Sequence, residues 1–368
     1  MKIAKDKALV VAPRIWRSDK NYNNSVEEIS LLISTLGLNV EGVIEQKINK
    51  VNPAYFIGSG KAKQIIEQAK MLKVQYIIFD EDLSPVQTKN FQQLNKELKI
   101  LDRPGVILEI FFRNAKSKES QTQVELARLQ YQLPRLTRLW THLERQMGGF
   151  GTRAGAGETQ IEVDRRIIRK KISLLKKKLK NIDSERKVQS KKRKSFFRTS
   201  FVGYTNVGKS SLMKSLTKSD VLIKNQLFAT LDTTVRRIFV GNNNYVLLSD
   251  TVGFIRNLPD NLIASFKSTL QEVVDSNLLL VVLDANSKDL FNEIDTIQSV
   301  LKEISADNVD TQYIFNKVDL VDQDKISYLK QSFPEALMVS ATRSLQISSI
   351  IDLISSKHKN WISALKNP

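Results

Sequence analysis

With 368 residues, no cysteine and only His142 and His358 as histidines, the chain has the length of two or three domains and excludes disulfides, thiolate chemistry and a histidine-built metal centre. Hydrophobic residues make up 41% and charged residues 26%, the balance of a soluble globular chain, and no apolar run approaches the roughly 20 residues of a membrane-spanning helix. The net charge of +18 is local: residues 165–198 hold 16 Lys/Arg against 2 Asp/Glu, whereas 199–368 hold 17 against 18, so a polyanionic partner is expected at one segment, nucleic acid before membrane.

From Ala8 to about Arg113, short apolar runs alternate with amphipathic stretches: Leu9 to Val11, Ser25 to Leu36, Val40 to Val43, Lys61 to Leu72 and Tyr76 to Phe79, with Val106 to Phe112 as an exit segment. Strands alternating with helices predict a small α/β domain with a parallel sheet over 1–113. From Lys118 to Gln146 the apolar spacing of Val124, Leu126, Leu129, Leu133 and Leu136 is helical, and Pro134 is expected to kink or interrupt it. The glycine-rich stretch Gly148 to Gly157 then precedes a second helix running through the basic segment to Lys194. Residues 114–195 therefore read as a helical hairpin arm with a Gly-rich tip and a positively charged second helix.

Residues 196–368 read as a third part, a P-loop domain with a mostly parallel sheet and helices on both faces. Its apolar runs, Thr199 to Val202, Ile238 to Val240, Tyr245 to Ser249, Leu278 to Asp284, Tyr313 to Phe315 and Leu337 to Val339, look like strands buried on both faces. After the first comes Gly203, Tyr204, Thr205, Asn206, Val207, Gly208, Lys209 and Ser210, the pattern G-x-x-x-x-G-K-[ST] between a strand and a helix. Its backbone N–H groups would surround a β-phosphate, Lys209 would reach the β- and γ-phosphates, and Ser210 would ligate Mg2+.

Asp250, Thr251, Val252 and Gly253 follow the strand ending at Ser249. The carboxylate can hold magnesium through water and the Gly253 amide can sense a γ-phosphate. Asn316, Lys317, Val318 and Asp319 follow another strand. Guanine presents N1–H and N2–H2 donors that one carboxylate accepts together, so Asp319 reads the base as guanine, Lys317 covers its plane, and Asn316 ties this loop to the phosphate loop. Ser340, Ala341 and Thr342 would offer a backbone N–H to guanine O6. Between the first two motifs, Phe228, Ala229, Thr230, Leu231 and Asp232 belong to a loop that should supply a threonine to magnesium and γ-phosphate, with Thr230, Thr233 and Thr234 all open on chemistry alone. Phe254 stands where signalling GTPases place a water-orienting glutamine, which predicts slow intrinsic hydrolysis accelerated by a docked partner.

These motifs, together with Asp250 to Pro259, Ala264 to Leu270, Gln123 to Ala127, Leu133 to Leu136 and Gly157 to Gln160 with Asp164 to Arg166, resemble the HflX family of translation-associated GTPases over nearly the whole length. The resemblance places the loop's metal ligand at Thr230, so Mg2+ would rest on Ser210 and Thr230, with Lys209, Thr230, Asp250 and Gly253 as the catalytic set. It implies GTP and GDP binding, GTP hydrolysis, and association with the large ribosomal subunit and its ribosomal RNA in splitting, rescue or subunit maturation. A monomeric cytosolic protein without stable membrane insertion is expected, peripheral membrane contact being left open. Three features depart from the common family form: a tip one residue longer and lacking its proline, one threonine at Thr234-Val235-Arg236 where two are common, and an end at Pro368, from which the extra C-terminal domain of some members is expected to be absent or rudimentary.

Two rival readings remain in the sequence: an RNA remodeller whose N-terminal domain also uses ATP, and a passive RNA-binding protein with a structural nucleotide. Ile57 to Lys61 reads as a plain strand-to-helix turn before a second nucleotide site, and Asp80-Glu81-Asp82 as a solvated loop.

Overall fold

In a computed structural model, the structure describes residues 6–15, 22–136, 160–193, 195–217, 227–228, 231–241, 243–255 and 270–366. The chain divides into two compact units, residues 1–113 with 121–181, and residues 114–120 with 182–368.

The first unit begins with β1 (Lys7–Ile15), α1 (Tyr22–Thr35), β2 (Asn39–Ile48), α2 (Ser59–Met71), β3 (Tyr76–Phe79), α3 (Pro85–Leu94), β4 (Lys99–Asp102) and α4 (Arg103–Asn114). Its four strands pair in parallel in the order β2-β1-β3-β4. The uninterrupted run Ala8 to Val11 is fully buried in β1, as a central parallel strand requires. Helix α3 starts on a capping box, in which Ser84 and Gln87 satisfy each other's backbone N–H with Pro85 at the first turn. The run Val106 to Phe112 is helical, and its burial at Val106, Ile107, Ile110 and Phe111 follows one face of α4.

Asp80 is no part of a solvated loop. It is buried, accepts from Ser25 Oγ at 2.6 Å and pairs with Arg103 Nη1 at 2.6 Å, while Arg103 also pairs with Glu28. Neighbouring carboxylates crowd this end of the sheet, and Glu81 is pushed up to about 7 by burial and by Asp80 and Asp82, against the pull of Arg103. Gly58 is an ordinary N-cap for α2 in extended conformation, with open space where a side chain would project.

Helix α5 (Lys118–Gln132) gives way at Pro134 to a single 3-10 turn over Leu133–Arg135. Helix α6 (Gln160–Arg193) runs for 34 residues, about 51 Å at 1.5 Å per residue. Within the first unit Leu126, Leu129 and Leu136 pack on Ile168 and Leu175, and Ile172 and Leu179 extend the seam at three- and four-residue spacing. The opposite face carries exposed Arg165, Arg166, Arg169, Lys170, Lys176, Lys177, Lys178 and Lys180. The Gly148 to Gly157 tip lies outside the described residues.

The second unit contains β5 (Arg198–Val202), α7 (Lys209–Thr217), β6 (Thr234–Phe239), β7 (Tyr245–Asp250), α8 (Gln271–Val274), β8 (Leu278–Asp284), α9 (Leu290–Glu303), β9 (Asp310–Asn316), α10 (Gln323–Ser332), β10 (Leu337–Met338) and α11 (Ile347–Lys366). Its sheet order is β10-β9-β8-β5-β7-β6, parallel except that β6 runs antiparallel to β7. The expectation of a doubly buried strand fails at β6. There Ile238 is buried while Arg237 and Phe239 are exposed, the alternation of an edge strand with one wet face. In β8, by contrast, Leu278 to Leu283 are all buried, and truncating Leu280 to Ala would cost about 2–5 kcal/mol. The C-terminal ends of β5, β7, β8 and β9 bring their following loops to one edge, where parallel α/β sheets build ligand sites.

Candidate functional site

The phosphate loop leaves β5 through backbone that only glycine tolerates. Gly203 has φ +149°, and a Cβ there would meet the Val282 carbonyl oxygen at 2.2 Å; Gly208 has φ +97°, and a Cβ there would meet Asn316 Nδ2 at 2.2 Å. Lys209 opens α7 and is buried, its Nζ donating to the carbonyls of Gly203 at 3.0 Å and Tyr204 at 2.7 Å. Burial lowers its pKa to about 8, a trend opposed by the Asp250 carboxylate. Ser210 Oγ donates to Asp250 Oδ2 at 2.6 Å, so the hydroxyl and the carboxylate meet at the head of α7.

Asp250 ends β7 in nearly full burial, and Thr251 Oγ1 donates to the Phe201 carbonyl at 2.6 Å, locking the second loop to β5. Gly253 lies against the phosphate loop so closely that a Cβ would meet Thr205 Cα at 2.8 Å. Phe254 continues the contact through its backbone: its N–H donates to the Gly203 carbonyl at 2.9 Å and its carbonyl accepts from Thr205 N–H at 2.8 Å. The Phe254 ring is 3% exposed and packs in the core of this unit with Tyr204 and Val207. Val252 is buried beside it.

Asn316, at the end of β9, donates from Nδ2 to the Val207 carbonyl at 2.8 Å and accepts at Oδ1 from Ala341 N–H at 3.0 Å. One side chain thus joins the phosphate loop to the loop after β10. Lys317 adopts φ +64° and its Nζ pairs with Asp284 Oδ2 at 2.6 Å. Asp284 escaped the sequence reading; its place at the C-terminal end of β8, in register with Asn316, was the available signal. Val318 donates from its backbone to the Val339 carbonyl at 3.3 Å, placing Asp319 beside Ser340. Hydrogen bonding to Ser340 is the main cause that holds the Asp319 carboxyl below its usual range, and its Oδ1 is buried with no hydrogen-bond partner among the described residues. An acceptor so placed suits the paired N–H donors of guanine. Ser340 Oγ lies 3.1 Å from Thr342 Oγ1 and accepts from Arg343 N–H at 3.2 Å, closing the last loop as a tight turn.

Of the switch segment, Ala229 and Thr230 lie outside the described residues. Phe228 and Leu231 are buried. Asp232 is engaged by backbone and hydroxyl donors of the segment 114–120, contacts that sequence reasoning missed because they join positions some 115 residues apart. The donor set fits magnesium held by oxygen atoms: Ser210 and Asp250 meet at 2.6 Å, and no cluster of three or more His, Asp or Glu is present among the described residues to favour a transition metal.

Three family models match the chain in succession: "GTP-binding GTPase N-terminal" over residues 23–112, "GTP-binding GTPase Middle Region" over 114–193 and "50S ribosome-binding GTPase" over 198–317. The GTPase HflX of Flavobacterium psychrophilum is 46% identical over 82% of this chain and 73% of its own length. That of Escherichia coli is 39% identical over 93% of this chain and 80% of its own. Among solved structures, the complex of SsGBP with GDP is 24% identical, covers 97% of this chain and 99% of that one, and superposes with a TM-score of 0.54. A GTP-binding protein of the archaeon Sulfolobus solfataricus in complex with GDP gives a TM-score of 0.50 at 24% identity, with the same coverage of both chains. At that identity the likeness establishes the fold.

Proposed function

This chain belongs to the HflX family of GTPases, and we propose that it is a nucleotide switch acting on the large ribosomal subunit and its ribosomal RNA, in ribosome splitting or rescue or in subunit maturation. The observation that carries this reading is the exposed Lys/Arg face of α6, set in a chain whose remaining charge is nearly balanced. Such a face neutralises RNA phosphates and releases their counterions. The description of the matching GTPase model as ribosome-binding supports the same partner. The family-model boundaries support three working parts, an α/β domain over 1–113, a hairpin arm over 114–195 and a GTPase domain over 196–368.

The chain's own residues divide the chemistry. The phosphate-loop amides and Lys209 hold the β- and γ-phosphates, and the Lys209 ammonium counters charge that builds on them. Asp319 selects guanine, Lys317 covers it, and Asn316 keeps base loop and phosphate loop in register. Ser210 and Thr230 would hold magnesium, with Asp250 acting through water, and the ion would supply neutralisation of phosphate charge. Phe254, with its ring in the core and its backbone paired to the phosphate loop, has no group to orient an attacking water. Hydrolysis is therefore slow until a docked partner orders the site. Phosphate release from GTP, measured with and without purified large subunits, tests this: stimulation of about tenfold or more supports it, and an unchanged rate contradicts it. The working compartment is the cytosol, a reading to which the described residues contribute one fact, that none of their helices is long and apolar enough to cross a membrane.

A further inference from the structure

One face of the second unit's sheet carries a patch that the nucleotide chemistry does not use. In the antiparallel pair of β6 and β7, Phe239 stands opposite Tyr245 and Arg237 opposite Leu247. Paired residues share a face, so Phe239, Tyr245 and Arg237 project together from the edge of the sheet. Phe239 is 52% exposed and Tyr245 50%, with ring centroids 5.5 Å apart, and the Arg237 guanidinium lies 5.2 Å from the centre of the Phe196 ring. The opposite face is closed: Ile238 and Val240 are buried, and Ser355 Oγ of α11 donates to the Val240 carbonyl at 2.9 Å. Because β6 ends at Phe239 while β5 and β7 begin at Arg198 and Tyr245, the patch lies at the edge of the sheet remote from the nucleotide loops. No Asp or Glu occurs between Asp232 and Asp250, whereas Arg236 and Arg237 are adjacent in β6 and both exposed. In the neighbouring strand Arg198 is neutralised by Asp275 at 3.3 Å. Phe196 follows the last residue of α6 by three positions, and residues 182–198, in the same compact unit, hold 7 Lys/Arg against 2 Asp/Glu.

We propose that this face is a docking platform for single-stranded RNA, with bases stacking on Phe239 and Tyr245 and phosphates following Arg237 toward the basic segment that ends at Arg198. The platform rests on the RNA partner proposed above and adds to α6 a second place of contact, on the GTPase fold itself. Fastening the strand pair accounts for the contact between the two rings. It does not account for an arginine laid on a third ring, for the absence of carboxylates along both strands, or for the run of cations that leads to the patch. Unpaired bases stack on aromatic side chains whatever their identity, and cations beside the rings meet the backbone phosphates. A duplex keeps its bases stacked on one another and offers such rings nothing to hold. An acidic protein segment would match the arginines but brings no planar groups to the rings.

Fluorescence anisotropy on the full chain, with a short oligouridine and a short RNA duplex as probes, tests it. Phe239→Ala and Tyr245→Ala should each weaken oligouridine binding about fivefold or more, while duplex affinity and GDP affinity stay within about twofold of wild type. Phe239→Trp keeps a stacking face and should hold oligouridine at wild-type affinity. A thiouridine-substituted oligomer should photo-cross-link to the peptides that contain Phe239 or Tyr245. Oligouridine affinity unmoved by both alanine variants, with duplex binding still lowered when Lys176, Lys177, Lys178 and Lys180 are changed together to Gln, would overturn the platform and leave the RNA reading standing. Equal losses for oligouridine and duplex would mark a structural role and overturn it too. So would a polyglutamate peptide that competes as well as oligouridine, since charge alone would then explain binding. Failure of both RNA probes to bind even at low salt would instead bring down the RNA reading and the platform with it.

Discussion

The side-chain amide of Asn316 donates to the backbone carbonyl of Val207 at 2.8 Å, across 109 positions of sequence, and the same side chain accepts from Ala341. Base-reading loop, phosphate loop and final loop are therefore one hydrogen-bonded assembly. Replacing Asn316 by Ala leaves a buried carbonyl and a partly buried N–H without their partner, which costs about 1–3 kcal/mol each. Denaturant unfolding should show a summed loss of about 2–6 kcal/mol for the GTPase fold, together with a GDP affinity reduced at least tenfold. Unchanged stability would mean that the bridge contributes nothing.

Gly208 joins the same assembly by lacking a side chain. A Cβ would meet Asn316 Nδ2 at 2.2 Å on backbone of φ +97°. Gly208→Ala combines left-handed strain of about 1–3 kcal/mol with displacement of the Asn316 bridge. The expected result is a lowered unfolding midpoint and undetectable GTP binding, checked by calorimetry on the same sample.

The fold of both units and the loops of the site were largely legible in the sequence, for a physical reason. Buried parallel strands are unbroken apolar runs, and each nucleotide motif follows one of them directly. Leu278 to Leu283 leaves no other reading. The misses share a different cause. Asp80 looked solvated because its partners Arg103, Glu28 and Ser25 are remote in sequence, and periodicity carries no record of such pairs. Strand β6 reads as doubly buried because Ile238, Phe239 and Val240 are apolar, although Phe239 is half exposed at an edge. The contact of Asp232 with Lys116 and Ser117 needs the chain to return on itself, and nothing local in either residue signals it.

Lys209 sets a pH dependence. Its folded pKa of about 8 lies below its unfolded value near 10.4, with burial as the cause. Between those values the unfolded chain binds more protons, so the stability of the nucleotide-free protein rises with pH through this window. Phosphate binding needs the ammonium, so GDP affinity should fall above pH 8, approaching tenfold per pH unit. Titration calorimetry at several pH values from about 7 to 9.5 measures this slope, and Lys209→Met should abolish it.

On the reading proposed above, base selection would rest on Asp319, whose buried Oδ1 has no hydrogen-bond partner among the described residues. Asp319→Asn exchanges one acceptor for a donor. Guanine, with N–H groups at positions 1 and 2, then loses a partner, while xanthine, with a carbonyl at position 2, gains one. Competition binding should show preference moving from GDP to xanthosine diphosphate by about 100-fold or more. Retained guanine preference would place base recognition elsewhere.

On the proposed reading, guanine nucleotide governs how this chain engages the large ribosomal subunit through the basic face of α6. Co-sedimentation with purified large subunits under GDP, GTP and a non-hydrolysable analogue, at two salt concentrations, measures it directly. Binding should differ with nucleotide and fall steeply with salt, the slope shrinking when Lys176, Lys177, Lys178 and Lys180 are changed together to Gln. Equal sedimentation in all three nucleotide states, or binding indifferent to salt and to those four substitutions, would contradict it.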